Sequence, residues 1–166
     1  MKFQTQLTWP APLARVLAMI TDRRYVERKQ EASTAERWEI ASCSDDGRHF
    51  AVSVRSFNRP GENLPAVARR FINQDQLVEV LQHDRWDRDT ASGTTVVENL
   101  SYPSVTVTAS MQLTEADGLT TNTITWDVNC SIPLVGGKLA ELVAGEIRAK
   151  VGHNEALGRR ILAELA

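Results

Sequence analysis

The sequence predicts an α+β fold in which a curved antiparallel sheet of about seven strands is covered by one long helix at the C-terminus. Three observations predict it. From about residue 34 to residue 132, apolar and polar residues alternate in the strand period. Turn signals, Asp45-Asp46-Gly47 and Asp117-Gly118, separate the alternating runs in the manner of hairpins. From about residue 137 the apolar spacing becomes three and four, that of an amphipathic helix.

The first strand is read over residues 2 to 9, where Phe3, Thr5, Leu7 and Trp9 alternate with Lys2, Gln4, Gln6 and Thr8. Pro10 and Pro12 end it, because proline donates no backbone hydrogen bond, and their fixed torsion suits the first turn of a helix. Leu13, Val16, Leu17 and Ile20 then carry a short helix, and Thr21-Asp22 offers the cap of a second, with Tyr25 and Val26 on its apolar side.

Trp38 and Ile40 begin the sheet proper, and the turn at Asp45-Asp46-Gly47 leads into Phe50, Val52 and Val54. A long connection from Asn58 to Pro65 follows, of the length expected of a lid, an entrance or a bulky crossover, and then a short helix over Ala66 to Ile72. Val78, Val80 and Trp86 form the next strand, and a hairpin strand is expected through Thr94 to Tyr102, with Val96, Leu100 and Tyr102 of one parity. Val105, Val107, Ala109, Met111 and Leu113 give the clearest alternation. The last strand places Ile124, Trp126, Val128, Cys130 and Ile132 on one face.

Polar residues on one side of so many strands put that side of the sheet in water, so the other side needs a cover. The C-terminal segment supplies it through Leu139, Leu142, Val143, Ile147, Val151 and Leu157, continued by Ile161, Leu162 and Leu165. A continuous helix of nearly thirty residues would run about 40 Å, enough to cross the sheet.

Composition sets the outer limits. With 166 residues the chain is expected to be a single domain, residues 1–166, burying roughly 70% of the surface its unfolded form exposes. A composition of 42% hydrophobic and 24% charged residues is ordinary for a globular protein. A net charge of -2 leaves no broad basic field for nucleic acid, and the arginine pairs 23–24, 69–70 and 159–160 read as solvated helix faces. No run approaches the roughly 18 apolar residues of a membrane span, and the first residues lack a secretory apolar core, so a cytoplasmic protein is expected. Cys43 and Cys130, far apart, read as two buried thiols.

The order of strand, two short helices, antiparallel strands and long terminal helix resembles the helix-grip fold of the START-like (SRPBCC) superfamily, which includes steroidogenic lipid-transfer domains, pollen-allergen-like proteins and polyketide cyclases. The passage Ile132-Pro133-Leu134-Val135-Gly136-Gly137-Lys138-Leu139, running into Glu141-Leu142-Val143 and Glu146-Ile147, is similar to one of that superfamily's domain-of-unknown-function families, found largely in bacteria. The resemblance implies the fold over essentially the whole chain; it does not imply a ligand, because the superfamily hosts transfer proteins, enzymes and binding modules alike.

Between a curved sheet and a helix, large apolar groups either meet as a filled core or line a cavity. The expected lining of a cavity is Trp38, Phe50, Val52, Tyr102, Met111 and Trp126 from the strands, with Leu142, Ile147 and Asn154 from the helix. Trp and Tyr join an apolar body to a polar tip, and a buried Asn needs a hydrogen-bond partner in a backbone carbonyl, a water or a ligand. The glycine pair at 136 and 137 reads as a tight strand-to-helix corner rather than a phosphate site. His49, His83 and His153 show no metal-ligand spacing and neither cysteine has a catalytic signature, so no metal and no cofactor are implied. An enzyme of this fold would need one acid or base; Asp127, Glu98 and His83 are candidates by type, though their parity puts them on the solvent face.

The leading expectation is therefore binding of a hydrophobic or amphipathic small molecule, lipid-like, sterol-like or polyketide-like, with no chemistry required. A small cyclase or hydrolase using the same cavity, and a solid-core partner-binding module, are the alternatives.

Overall fold

A computed structural model describes residues 1–61, 64, 66 and 68–165 of the chain. Strand β1 (Lys2–Trp9) leads through α1 (Leu13–Ile20) and α2 (Arg23–Glu31) to β2 (Arg37–Asp45) and β3 (His49–Asn58). The strands β4 (Val78–Asp87), β5 (Ser92–Asn99), β6 (Val105–Ala116) and β7 (Leu119–Cys130) follow, and then α3 (Gly136–Ala149) and α4 (Val151–Glu164). The seven strands form one sheet in the order β1-β7-β6-β5-β4-β3-β2. Every neighbouring pair is antiparallel. This is the helix-grip α+β architecture.

Local chemistry explains the element ends. Pro12 holds an extended torsion before α1, which buries Val16, Leu17, Met19 and Ile20. Asp22 caps α2 by accepting a hydrogen bond from the Arg24 amide at 2.8 Å. Asp117 and Gly118 both take positive φ, +53° and +75°, the torsions a two-residue hairpin turn needs.

Cross-strand register carries the inner face from strand to strand. Phe50 opposes Trp86, Trp86 opposes Gly93, Gly93 opposes Met111, Met111 opposes Ile124 and Ile124 opposes Thr5. Against this face α4 buries Leu157, Ile161 and Leu162, and α3 buries Leu139, Ala140 and Ala144. Trp9 is fully buried, and its indole N–H donates to the Glu155 carbonyl at 3.2 Å. The Glu155 carboxylate accepts from the Thr8 amide at 2.9 Å, so α4 satisfies a backbone donor of the edge strand as well as covering its side chains.

The terminal helix bends where a continuous rod was expected. At Lys150 the amide is shared between the Glu146 and Ile147 carbonyls, at 3.3 and 3.2 Å, which tightens the turn, and Gly145 and Gly152 on either side weaken the helical preference. The strand expected through Tyr102 stops at Asn99, and its parity is the reverse of the expected one. Gly93, Thr95 and Val97 face inward, while Val96 is 39% exposed. The close approach of the Trp86 indole to Gly93 is the reason, since a Cβ there would collide with the ring. The Asn99 side chain then accepts from the Tyr102 amide at 2.8 Å and ends the strand as a turn.

Residues 62, 63 and 65 of the expected long connection, and residue 67 of the expected short helix, lie outside the described residues. The described part of that helix is a single 3-10 turn, Ala68–Arg70. Cys43 is exposed rather than buried, because it follows a bulge between Ile40 and Ser42 on the outermost strand; Cys130 is half-buried, and both thiols are free. Among the described residues no helix is long and apolar enough to cross a membrane.

Candidate functional site

The interior is not filled. A cavity of about 400 Å³ lies between the inner face of the sheet, α2 and the bend between α3 and α4. Phe50, Val52, Trp86, Met111, Ile124 and Trp126 supply its apolar wall. The Trp126 indole N–H donates to Thr5 Oγ1 at 2.9 Å and its ring stacks on Phe3 at 6.3 Å between centroids, so its orientation is fixed by its neighbours on β1.

Polar groups stand at separate places in this wall. Asp84 on β4 accepts from Thr95 Oγ1 at 2.5 Å and from Gln82 Nε2 at 3.0 and 3.1 Å. Asn122 on β7 is 3% exposed, and its Oδ1 has no hydrogen-bond partner. Lys29 on α2 lies 5.3 Å from the Tyr25 ring centre. The Tyr25 hydroxyl, and after it the Asp84 carboxylate, push the Lys29 ammonium above the ordinary lysine range against the opposing effect of burial.

Of the nine residues expected to line a cavity, Phe50, Val52, Met111, Trp126, Ile147 and Asn154 come together around it. Trp38, Tyr102 and Leu142 do not. Trp38 sits half-buried on β2 opposite Ser56, at the border of the sheet. The Tyr102 hydroxyl is beyond the end of β5, where it accepts from the Asn73 amide at 2.9 Å. On α3 the line toward the sheet runs through Leu139, Val143 and Ile147, and Leu142 falls to one side of it.

Sequence reasoning missed Gln82, Asp84, Thr95 and Asn122. Parity was the available signal: with Trp86 inward, Asp84 and Gln82 share its face, and Asn122 shares the face of Ile124 and Trp126. Lys29 gave no signal within its polar run. The three acid–base candidates lie on the outer face, as their parity indicates. The Ser53 hydroxyl and His83 Nδ1 are hydrogen-bonded at 2.6 Å, His83 Nε2 is 3.9 Å from Glu98, and Asp127 is 3.6 Å from the amino terminus. Gly136 is packed against the Cys130 carbonyl, in keeping with a tight corner.

The family model described as "Protein of unknown function (DUF2505)" matches residues 4–162. The chain belongs to this family. No curated protein matches the sequence. Among solved structures, protein TTHA0849 of Thermus thermophilus superposes with a TM-score of 0.66 at 15% identity, covering 100% of this chain and 99% of that one. The Zhui aromatase/cyclase of a Streptomyces species gives 0.59 at 15% identity, with 99% and 92% covered. A START superfamily protein of Mycobacterium smegmatis gives 0.59 at 12% identity, with 99% of each chain covered. The DUF2505 chain thus has a START-like fold.

Proposed function

We propose that this DUF2505 protein binds a hydrophobic or amphipathic small molecule in the cavity between its sheet and its bent terminal helix, and that binding requires no chemistry. The observation that carries the reading is the cavity itself, whose volume of about 400 Å³ falls in the range of small-molecule sites and whose wall is mainly apolar and aromatic with a few fixed polar groups. The same reading takes residues 1–166 as one domain working in the cytoplasm, without nucleic acid, consistent with a net charge of -2. Native mass spectrometry of gently purified protein is the test. A retained small molecule that is released on unfolding is expected; a bare chain that also fails to take up an apolar naphthalene dye contradicts the proposal.

A second reading, a small cyclase-type enzyme, is favoured by Asp84, a carboxylate on the cavity wall whose position is set by Thr95 and Gln82. A similar fold serves the Zhui aromatase/cyclase. The two readings separate on Asp84→Asn: a pure binder keeps the ligand unchanged through many cycles of loading, whereas an enzyme returns product from the native chain and none from the variant.

A further inference from the structure

Two opposite charges enter the cavity, one from α2 and one from the sheet. Tyr25 and Lys29, one turn apart on α2, both line it, and the Lys29 ammonium lies 5.3 Å from the Tyr25 ring centre. From the sheet, Gln82 and Asp84 on β4 share the inward face of Trp86, and Thr95 stands opposite Asp84 in the β4–β5 register. The Tyr25 hydroxyl and, after it, the Asp84 carboxylate are close enough to favour the charged form of Lys29. Lys150 and His153, the other basic side chains of the lining, are exposed at the helix bend.

The pair is not closed. Among the described residues no ion pair joins Lys29 to Asp84, and neither the Lys29 ammonium nor the Tyr25 hydroxyl has a hydrogen-bond partner, although Tyr25 is only 8% exposed. Asp84 is held from within the sheet instead. Its Oδ1 accepts from Thr95 Oγ1 and from Gln82 Nε2, while Oδ2 accepts from Gln82 Nε2 alone, at 3.0 Å. A carboxylate has about four acceptor positions, so Oδ2 keeps one open. Each charge therefore stands in a largely apolar wall with part of its hydrogen-bonding capacity unused, a cost in free energy that an occupant joining the two would recover.

Resting on the ligand-binding proposal above, we infer that the occupant is a neutral phenol, a flat apolar ring system whose hydroxyl oxygen accepts from the Lys29 ammonium and whose hydroxyl proton is donated to Asp84 Oδ2. A hydroxyl joins the two charges because it carries donor and acceptor on one atom. A carboxylate in its place would meet Asp84 as a like charge, an ammonium would meet Lys29 as one, and a methyl group would leave both unjoined. The rings of Phe50, Trp86 and Trp126 in the same wall suit a flat aromatic body better than a flexible chain.

Isothermal titration calorimetry of the full chain near neutral pH tests this with four naphthalenes substituted at the same carbon: naphthol, methylnaphthalene, naphthoate and naphthylmethylamine. Naphthol is expected to bind about tenfold more tightly than methylnaphthalene, and more tightly than either charged probe. Lys29→Met and Asp84→Asn should each remove most of that tenfold ratio. The ratio is the readout, because a variant that merely loosens the cavity weakens both probes together. The charged probes should then diverge, with naphthoate gaining on naphthylmethylamine in Asp84→Asn and the reverse in Lys29→Met. Naphthol bound no more tightly than methylnaphthalene by the native chain, naphthoate bound more tightly than naphthol, or a hydroxyl preference that survives both substitutions overturns the inference while leaving ligand binding intact. Failure of every probe, together with an apolar dye, overturns both.

Discussion

Gly158 on α4 lies against the indole of Trp9 on β1 so closely that a Cβ at this position would occupy the space of the ring nitrogen. The contact sets the distance between the helix and the sheet, and with it the height of the cavity roof. Gly158→Ala should push α4 outward and destabilise the fold by about 1–3 kcal/mol, the usual cost of overpacking a tight interior. Urea denaturation would show the midpoint falling. An unchanged midpoint would mean that the helix floats free of Trp9.

Asn122 makes a prediction of the opposite sign. Its carbonyl oxygen is buried and unpaired. Asn122→Leu replaces it with an apolar group of similar size, so the ligand-free protein should gain about 1 kcal/mol of stability. Thermal unfolding of ligand-free samples would detect the rise; a loss of stability would indicate that the amide is satisfied in solution.

Acid sensitivity should concentrate at the clamp formed by Arg88. This guanidinium donates to both oxygens of Asp45, at 2.6 and 2.8 Å, and to the hydroxyl and carbonyl oxygens of Thr21, each at 3.1 Å. It joins the end of α1 to the hairpin of β2 and β3. Its hydrogen bonds, with that from the Gly47 amide, hold the Asp45 carboxyl down at about 2. Because the folded value is below the unfolded one, the contribution is complete above about pH 4 and is lost as pH falls toward 2. Denaturation at pH 5 and at pH 2.5 should show Asp45→Asn losing stability relative to the native chain at the higher pH and the gap closing at the lower. A gap independent of pH would assign the effect to packing.

Thr95 tests the polar group beside the cavity. Its hydroxyl donates to Asp84 at 2.5 Å, and Thr95→Val removes that bond while preserving shape. Because the acceptor is a carboxylate, a loss of about 1.5–3 kcal/mol is expected in equilibrium unfolding. No loss would show that water replaces the hydroxyl there.

The architecture was legible because each of its devices works over neighbouring residues. Alternation of Val105 to Leu113 marks a strand face, Asp117-Gly118 marks a turn, and the spacing of Leu139, Val143 and Ile147 marks a helix face. The cavity wall was legible where an apolar side chain and its parity agreed, as at Phe50, Met111 and Trp126. It failed where one distant contact decided parity: Gly93 turned inward under Trp86, so Thr95 rather than Val96 faces the cavity. It failed again where polar side chains occupy the inner face. Asp84 and Asn122 break the apolar pattern, and such breaks in a consistent pattern are where function is expected. The helix bend at Lys150, marked in the sequence only by Gly145 and Gly152 on either side, depends on a shared hydrogen bond that an apolar spacing of three and four does not show.

The account rests on a small molecule lying between the sheet and the bent helix. Nuclear magnetic resonance titration of isotopically labelled protein with the apolar naphthalene dye locates the bound molecule directly. The shifts are predicted to concentrate at Thr95, Asn122, Trp126 and Ile147 and to leave the outer-face residues His83, Glu98 and Thr106 unmoved. Shifts confined to the outer face, or none up to saturating ligand, would contradict it.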